Sequence, residues 1–110
     1  MKDDKVIIEQ ILQFIGRIEQ YTSDMSFDEF SKDIKSQDAV IRNIEIIGEA
    51  ANRLSKEFYL THKDFPISEA VSMRNRLIHG YDDLDLEIVW TTATEDIQSL
   101  KSAIVQIKSL

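Results

Sequence analysis

The sequence predicts an all-α protein, an up-and-down bundle of four long helices and one short helix. Three observations carry that expectation. One Pro and three Gly in 110 residues leave little of the punctuation that short strands and tight hairpins need. Apolar residues recur in steps of three and four along most of the chain, the spacing of one helix face. Residues that start or stop helices stand at the ends of these runs: Ser26 and Asp85 at starts, Gly80 at a stop.

Taken in order, residues 4 to 22 place Ile7, Ile11, Phe14, Ile18 and Tyr21 on one stripe, widened by Val6, Ile8, Leu12 and Ile15. Ser26 with Glu29 three residues later is a capping-box pattern. It opens a short helix whose Phe27, Phe30 and Ile34 face inward. From Asp38 to Tyr59 the residues Val40, Ile44, Ile47, Ala51, Leu54 and Phe58 again step by four and three. They predict one long helix, whose Gly48, Ala50 and Ala51 let a neighbour approach closely. Pro66 suits the first turn of the next helix, because its missing N–H would be unpaired there anyway. That helix closes at Gly80, and Asp85 caps the last one, where Leu86, Val89, Ala93, Ile97, Leu100, Ile104 and Ile107 run to the end.

Composition bounds the rest. A chain of 110 residues, 43% hydrophobic, is expected to form one domain over residues 1 to 110 around a single modest core. The absence of Cys excludes a disulfide framework, a thiol nucleophile and a thiolate metal site, and suits a reducing, cytoplasmic setting. The N-terminus runs straight into an amphipathic pattern without a secretory-type apolar stretch, and nothing approaches a membrane span.

The formal net charge of -7 argues, as an average, against a nucleic-acid partner. Its distribution alters that reading. Residues 1 to 41 and 80 to 110 each sum to -4, whereas residues 42 to 79 carry six basic and five acidic groups and sum to +1. Four of the five arginines, Arg42, Arg53, Arg74 and Arg76, lie in this middle part. Arginine's planar fork matches phosphate, so an acidic chain can still hold one phosphate-reading surface. Solvated helix faces paired with nearby glutamates are the plainer explanation of the same residues.

The run Met73-Arg74-Asn75-Arg76-Leu77-Ile78-His79-Gly80-Tyr81 carries the most chemistry. On a helix His79 neighbours Asn75 and Arg76, while Arg74 lies about 140° round and must reach along the surface or meet its counterpart from another chain. The group suits phosphodiester chemistry without metal: His moves a proton near neutral pH, Arg stabilises charge building on phosphoryl oxygens, and Asn orients a hydroxyl. Each member also has a structural reading. A His in a last turn complements the helix dipole, Gly80 is an ordinary cap, and Tyr81 can be a core or interface aromatic. The residues alone leave both open. His62, in a loop ahead of Asp64 and Pro66, is a weaker candidate and reads as a solvated loop residue. Trp90, Tyr21, Met73 and Ile88 are candidates for an interface or for the core.

Arg74-Asn75, three residues, His79, one residue and Tyr81 together resemble the signature of the HEPN superfamily, and specifically its HepT-like ribonuclease toxins. Arg42-Asn43-Ile44-Glu45-Ile46-Ile47-Gly48-Glu49-Ala50 is similar to that family's long-helix block, and Asp85-Leu86-Glu87-Ile88-Val89-Trp90 to the start of its last helix. The blocks occur in the same order at compatible spacing and span essentially the whole chain. One departure is that Ile67, Ser68 and Glu69 follow Pro66 where relatives carry a Trp and basic residues, which makes the rim of the site less basic.

The resemblance implies a two-fold dimer with the Arg-to-His motifs of both chains lining a shared cleft. It further implies a metal-independent endoribonuclease, needing no cofactor, in which the RNA's own 2'-hydroxyl attacks the adjacent phosphate. Under it His79 is base or acid, Arg74 and Asn75 complete the catalytic set, Arg76 contacts RNA phosphate, and Tyr81 accepts AMP from a partner antitoxin, a minimal nucleotidyltransferase. A non-catalytic HEPN-type RNA- or nucleotide-binding or dimerisation module that mainly serves as partner of a nucleotidyltransferase is the alternative.

Overall fold

Capping residues decide where this chain turns. The computed structural model describes residues 2–66 and 85–108. The first helix, α1 (Lys2–Thr22), buries Ile7, Ile8, Ile11, Ile15 and Ile18. Two residues assigned to its apolar stripe depart from it. Val6 is 53% exposed, because five residues from Ile11 place it about 140° round the helix, and Tyr21 at the stripe's edge is also exposed.

The short helix α2 (Phe27–Lys32) starts on the predicted capping box: Ser26 Oγ accepts the Glu29 N–H at 3.1 Å while the Ser26 N–H donates to Glu29 Oε1 at 3.0 Å. Asp33 then ends one helix and opens the next. Its N–H donates to the Phe30 carbonyl, and its carboxylate accepts from the Ser36 N–H and hydroxyl at 3.1 and 2.8 Å. Consequently α3 (Ile34–Ala51) begins four residues earlier than its apolar spacing predicts. Ile34, expected to face inward from the short helix, is the first residue of α3 instead and is 71% exposed.

The predicted single helix from Asp38 to Tyr59 is two helices. After α3 ends at Ala51 the chain breaks, and α4 (Lys56–Thr61) restarts on Ser55, whose Oγ accepts the Phe58 N–H at 3.0 Å. The break is held from across the fold. Ser55 donates through its N–H at 2.8 Å and its hydroxyl at 2.6 Å to the buried carboxylate of Asp4 near the start of α1. The Tyr59 hydroxyl meanwhile donates to the carbonyl of Ala51, the last residue of α3, at 2.6 Å. A helix end therefore finds one of the partners its own backbone cannot supply.

The last helical run begins on Asp85, as expected, whose carboxylate accepts the N–H groups of Glu87 and Ile88. It is not uniform: α5 (Leu86–Thr91) leads into a π-helical turn, Thr92–Asp96, and then α6 (Ile97–Lys108). In that turn the Ile97 N–H donates to the Thr92 carbonyl, five residues back. Val89, Ala93 and Ile97, all buried, follow one another in two steps of four. Two such steps drift about 80° round a regular α-helix, and one wider turn absorbs the drift.

These helices form an all-α bundle, with no strand among the described residues. The Asp4–Ser55 and Gln10–Arg53 contacts set the start of α1 beside the end of α3, so the two run antiparallel. Glu19, near the other end of α1, accepts from Gln98 at 2.9 Å and Lys101 at 2.9 Å, whereas Ile107 stands beside Asp4 and Ile8. Hence α6 also runs antiparallel to α1. Phe30, Val40, Ile44, Ile47, Leu100 and Ile104 join the isoleucines of α1 in one core. At one side Trp90 of α5 packs on Phe27 and Phe30 of α2, with ring centroids 6.2 and 5.1 Å apart.

Candidate functional site

Arg74, Asn75, Arg76, His79 and Tyr81 lie outside the described residues, as do Met73 and the helix expected between Pro66 and Gly80. Pro66 and Asp85 bracket that segment. Pro66 lies beside Ile44 and Ile47 of α3 and beside Thr92, Ile97 and Leu100 of the last helical run. Asp85 is fixed by its cap on α5.

The other two arginines of the central segment are surface groups. Arg42 reaches Glu45 at 3.4 Å and Arg53 reaches Gln10 at 3.3 Å, long contacts in water that stabilise little. Of the long-helix block, Ile44, Ile47, Gly48 and Ala50 are buried, as is Asn43, which donates through Nδ2 to the Ala39 carbonyl at 2.7 Å. The block is mainly the packed core of α3. Among the interface candidates, Trp90 is half-buried in the aromatic cluster, whereas Ile88 and Tyr21 are exposed.

His62 is better seated than a solvated loop residue. It closes α4, its N–H donating to the Phe58 carbonyl at 2.8 Å, and its half-buried imidazole lies tilted against the Phe58 ring, with 4.7 Å between centroids. Phe58 meets Phe65 edge-on at 5.2 Å, so the loop is pinned on both sides of His62. A cleft of about 470 Å³, lined by Asp4, Lys5, Ile8, Glu9, Phe58, His62 and Ile107, opens beside the imidazole. Acids and a lysine of both signs share its wall, which does not make a phosphate-selective site.

The carboxylates with perturbed acidity elsewhere are structural. Hydrogen bonds from Ser55 hold the Asp4 carboxyl below its ordinary range against the opposing effect of burial. Gln98 and then Lys101 do the same for Glu19, and Ser36 does so for Asp33. Burial, with the nearby Asp4 charge, pushes the Tyr59 phenol up. None of these groups marks a reacting centre. Sequence reasoning missed the Asp4–Ser55 pair, for which no local signal exists, and the π turn, whose signal was the double four-residue step.

Residues 11–107 match the ribonuclease HepT-like family. The chain belongs to the HepT-like ribonuclease family. Among curated relatives it is 38% identical, over 97% of both chains, to a "Probable ribonuclease HepT" of Thermococcus cleftensis. It is 42% identical to a "Gamma-glutamylcyclotransferase and putative RNase" of Methanocaldococcus jannaschii, covering 96% of this chain and 48% of that longer one. No solved structure matches. This HepT-like chain is accordingly an RNA-cleaving enzyme on an all-α frame. Among its described residues no helix is long and apolar enough to cross a membrane.

Proposed function

We propose that this HepT-like chain is a single-domain, metal-independent endoribonuclease toxin of the cytoplasm that cuts RNA at a cleft shared by two copies of the chain. What supports the reading is the family match over residues 11–107, a span that includes Arg74, Asn75 and His79, whose spacing resembles the family's signature. One His79 from each copy supplies both proton-transfer roles, which a single chain with one motif His cannot. One imidazole takes the proton of the RNA 2'-hydroxyl as its oxygen bonds to phosphorus. The partner's protonated imidazole gives a proton to the 5'-oxygen as the P–O5' bond breaks. Arg74 neutralises charge on the non-bridging oxygens, Asn75 orients the attacking hydroxyl, and Arg76 holds a neighbouring phosphate.

Tyr81 is the acceptor of AMP from a minimal nucleotidyltransferase antitoxin. Each AMP adds about one negative charge and a bulky nucleotide beside the arginines, opposing RNA by the logic of phosphorylation. The test of the chemistry is the product. Cleavage in the presence of a chelator is expected to leave 2',3'-cyclic phosphate and 5'-hydroxyl ends, and a 2'-deoxy substitution at the cut site to block it. Cleavage that needs added metal, or that leaves 5'-phosphate ends, overturns the mechanism.

A further inference from the structure

We infer that the π turn of the last helical run encloses a binding site for one water molecule, centred on the hydroxyl of Thr92. Thr92 is only 3% exposed, and its Oγ1 is buried without a hydrogen-bond partner among the described residues. A buried hydroxyl deprived of its hydration is costly unless something inside replaces that water. Two other threonines on the same or neighbouring helices solve the problem within their own helix. Thr22 donates to the Ile18 carbonyl at 2.9 Å and Thr94 to the Trp90 carbonyl at 2.8 Å, each four residues back. Thr92 makes no such bond to Ile88, whose carbonyl already accepts the Thr92 N–H.

A space suited to the missing partner lies against this side chain. A cavity of about 10 Å³ is lined by Ile44 and Ile47 of α3, Pro66, and Thr92, Asp96, Ile97 and Leu100. That volume corresponds to about one water-sized sphere. A wholly apolar hole of that size would stay empty, but this one has the Thr92 hydroxyl on its wall and the exposed Asp96 at its rim. The bound water lies where the last helical run meets Pro66 and α3.

Two readouts on the full-length protein decide the matter. A high-resolution crystal structure is expected to show one ordered water within hydrogen-bond distance of Thr92 Oγ1. The near-isosteric Thr92→Val is expected to lower the thermal midpoint by at least about 3 °C, because the water then loses its protein partner. If the cavity is dry, or if Thr92→Val melts at or above the parent temperature as removal of an unpaired hydroxyl should make it do, the water site is wrong.

Discussion

The carboxylate of Asp4 accepts two hydrogen bonds from Ser55, 51 residues further along the chain, at 2.8 and 2.6 Å. Through them the first turn of α1 fixes the residue on which α4 begins, since Ser55 Oγ in turn accepts the Phe58 N–H. Ser55→Ala removes the cap and leaves a buried carboxylate short of a partner. A loss of about 1–2 kcal/mol is expected in urea unfolding, with the slope unchanged.

The same pair contributes to the response to acid. Asp4, Glu19 and Asp33 all have carboxyls held below their unfolded values, so each contributes stability that is present above about pH 4 and is lost as pH falls through the lower folded value. Tyr59 has the opposite sign. Its folded value is raised, so its contribution is lost as pH rises above about 10. Thermal midpoints measured across pH should therefore fall at both ends, and Asp4→Asn should flatten the acid limb relative to the parent.

Trp90, the chain's one tryptophan, reports on the α2 contact. Phe30 is fully buried against it, so Phe30→Ala is expected to cost about 3–5 kcal/mol and to shift the Trp90 emission to longer wavelength as the ring gains water. Fluorescence-detected urea unfolding measures both effects in one experiment.

Regulation and catalysis should separate at Tyr81. With a cognate nucleotidyltransferase and ATP, the parent protein is expected to gain mass in whole AMP increments and to lose RNA cleavage. Tyr81→Phe should gain no mass and keep cutting. Mass spectrometry of the treated protein beside a cleavage assay checks the prediction; AMP found on Tyr81→Phe contradicts the assignment.

Local chemistry was legible in the sequence, and contacts between distant residues were not. The capping box at Ser26 and Glu29 and the cap at Asp85 need only three neighbouring residues each, and both occur as read. The break before Ser55 escaped because Ala51, Leu54 and Phe58 keep helical spacing straight across it, while the residue that holds it, Asp4, is 51 positions away. Ile34 was placed inward for a related reason: Asp33 serves as the end of one helix and the start of the next, which spacing does not register. His62 reads as a solvated loop because nothing in its neighbours announces the Phe58 ring contact. The candidate catalytic set was legible only as an ordered motif, from Arg74 to Tyr81. Residues so close in sequence suggest the chemistry, but the proposed pairing of two such motifs depends on a second chain.

The proposed cleavage rests on His79, and cleavage by its variant is the most direct test. Purified parent protein with chelator should cut RNA. His79→Ala should lower the rate at least about a hundredfold, the scale of lost proton transfer, with unchanged helical circular dichroism and unchanged dimer mass. Cutting by His79→Ala at the parent rate would contradict the account.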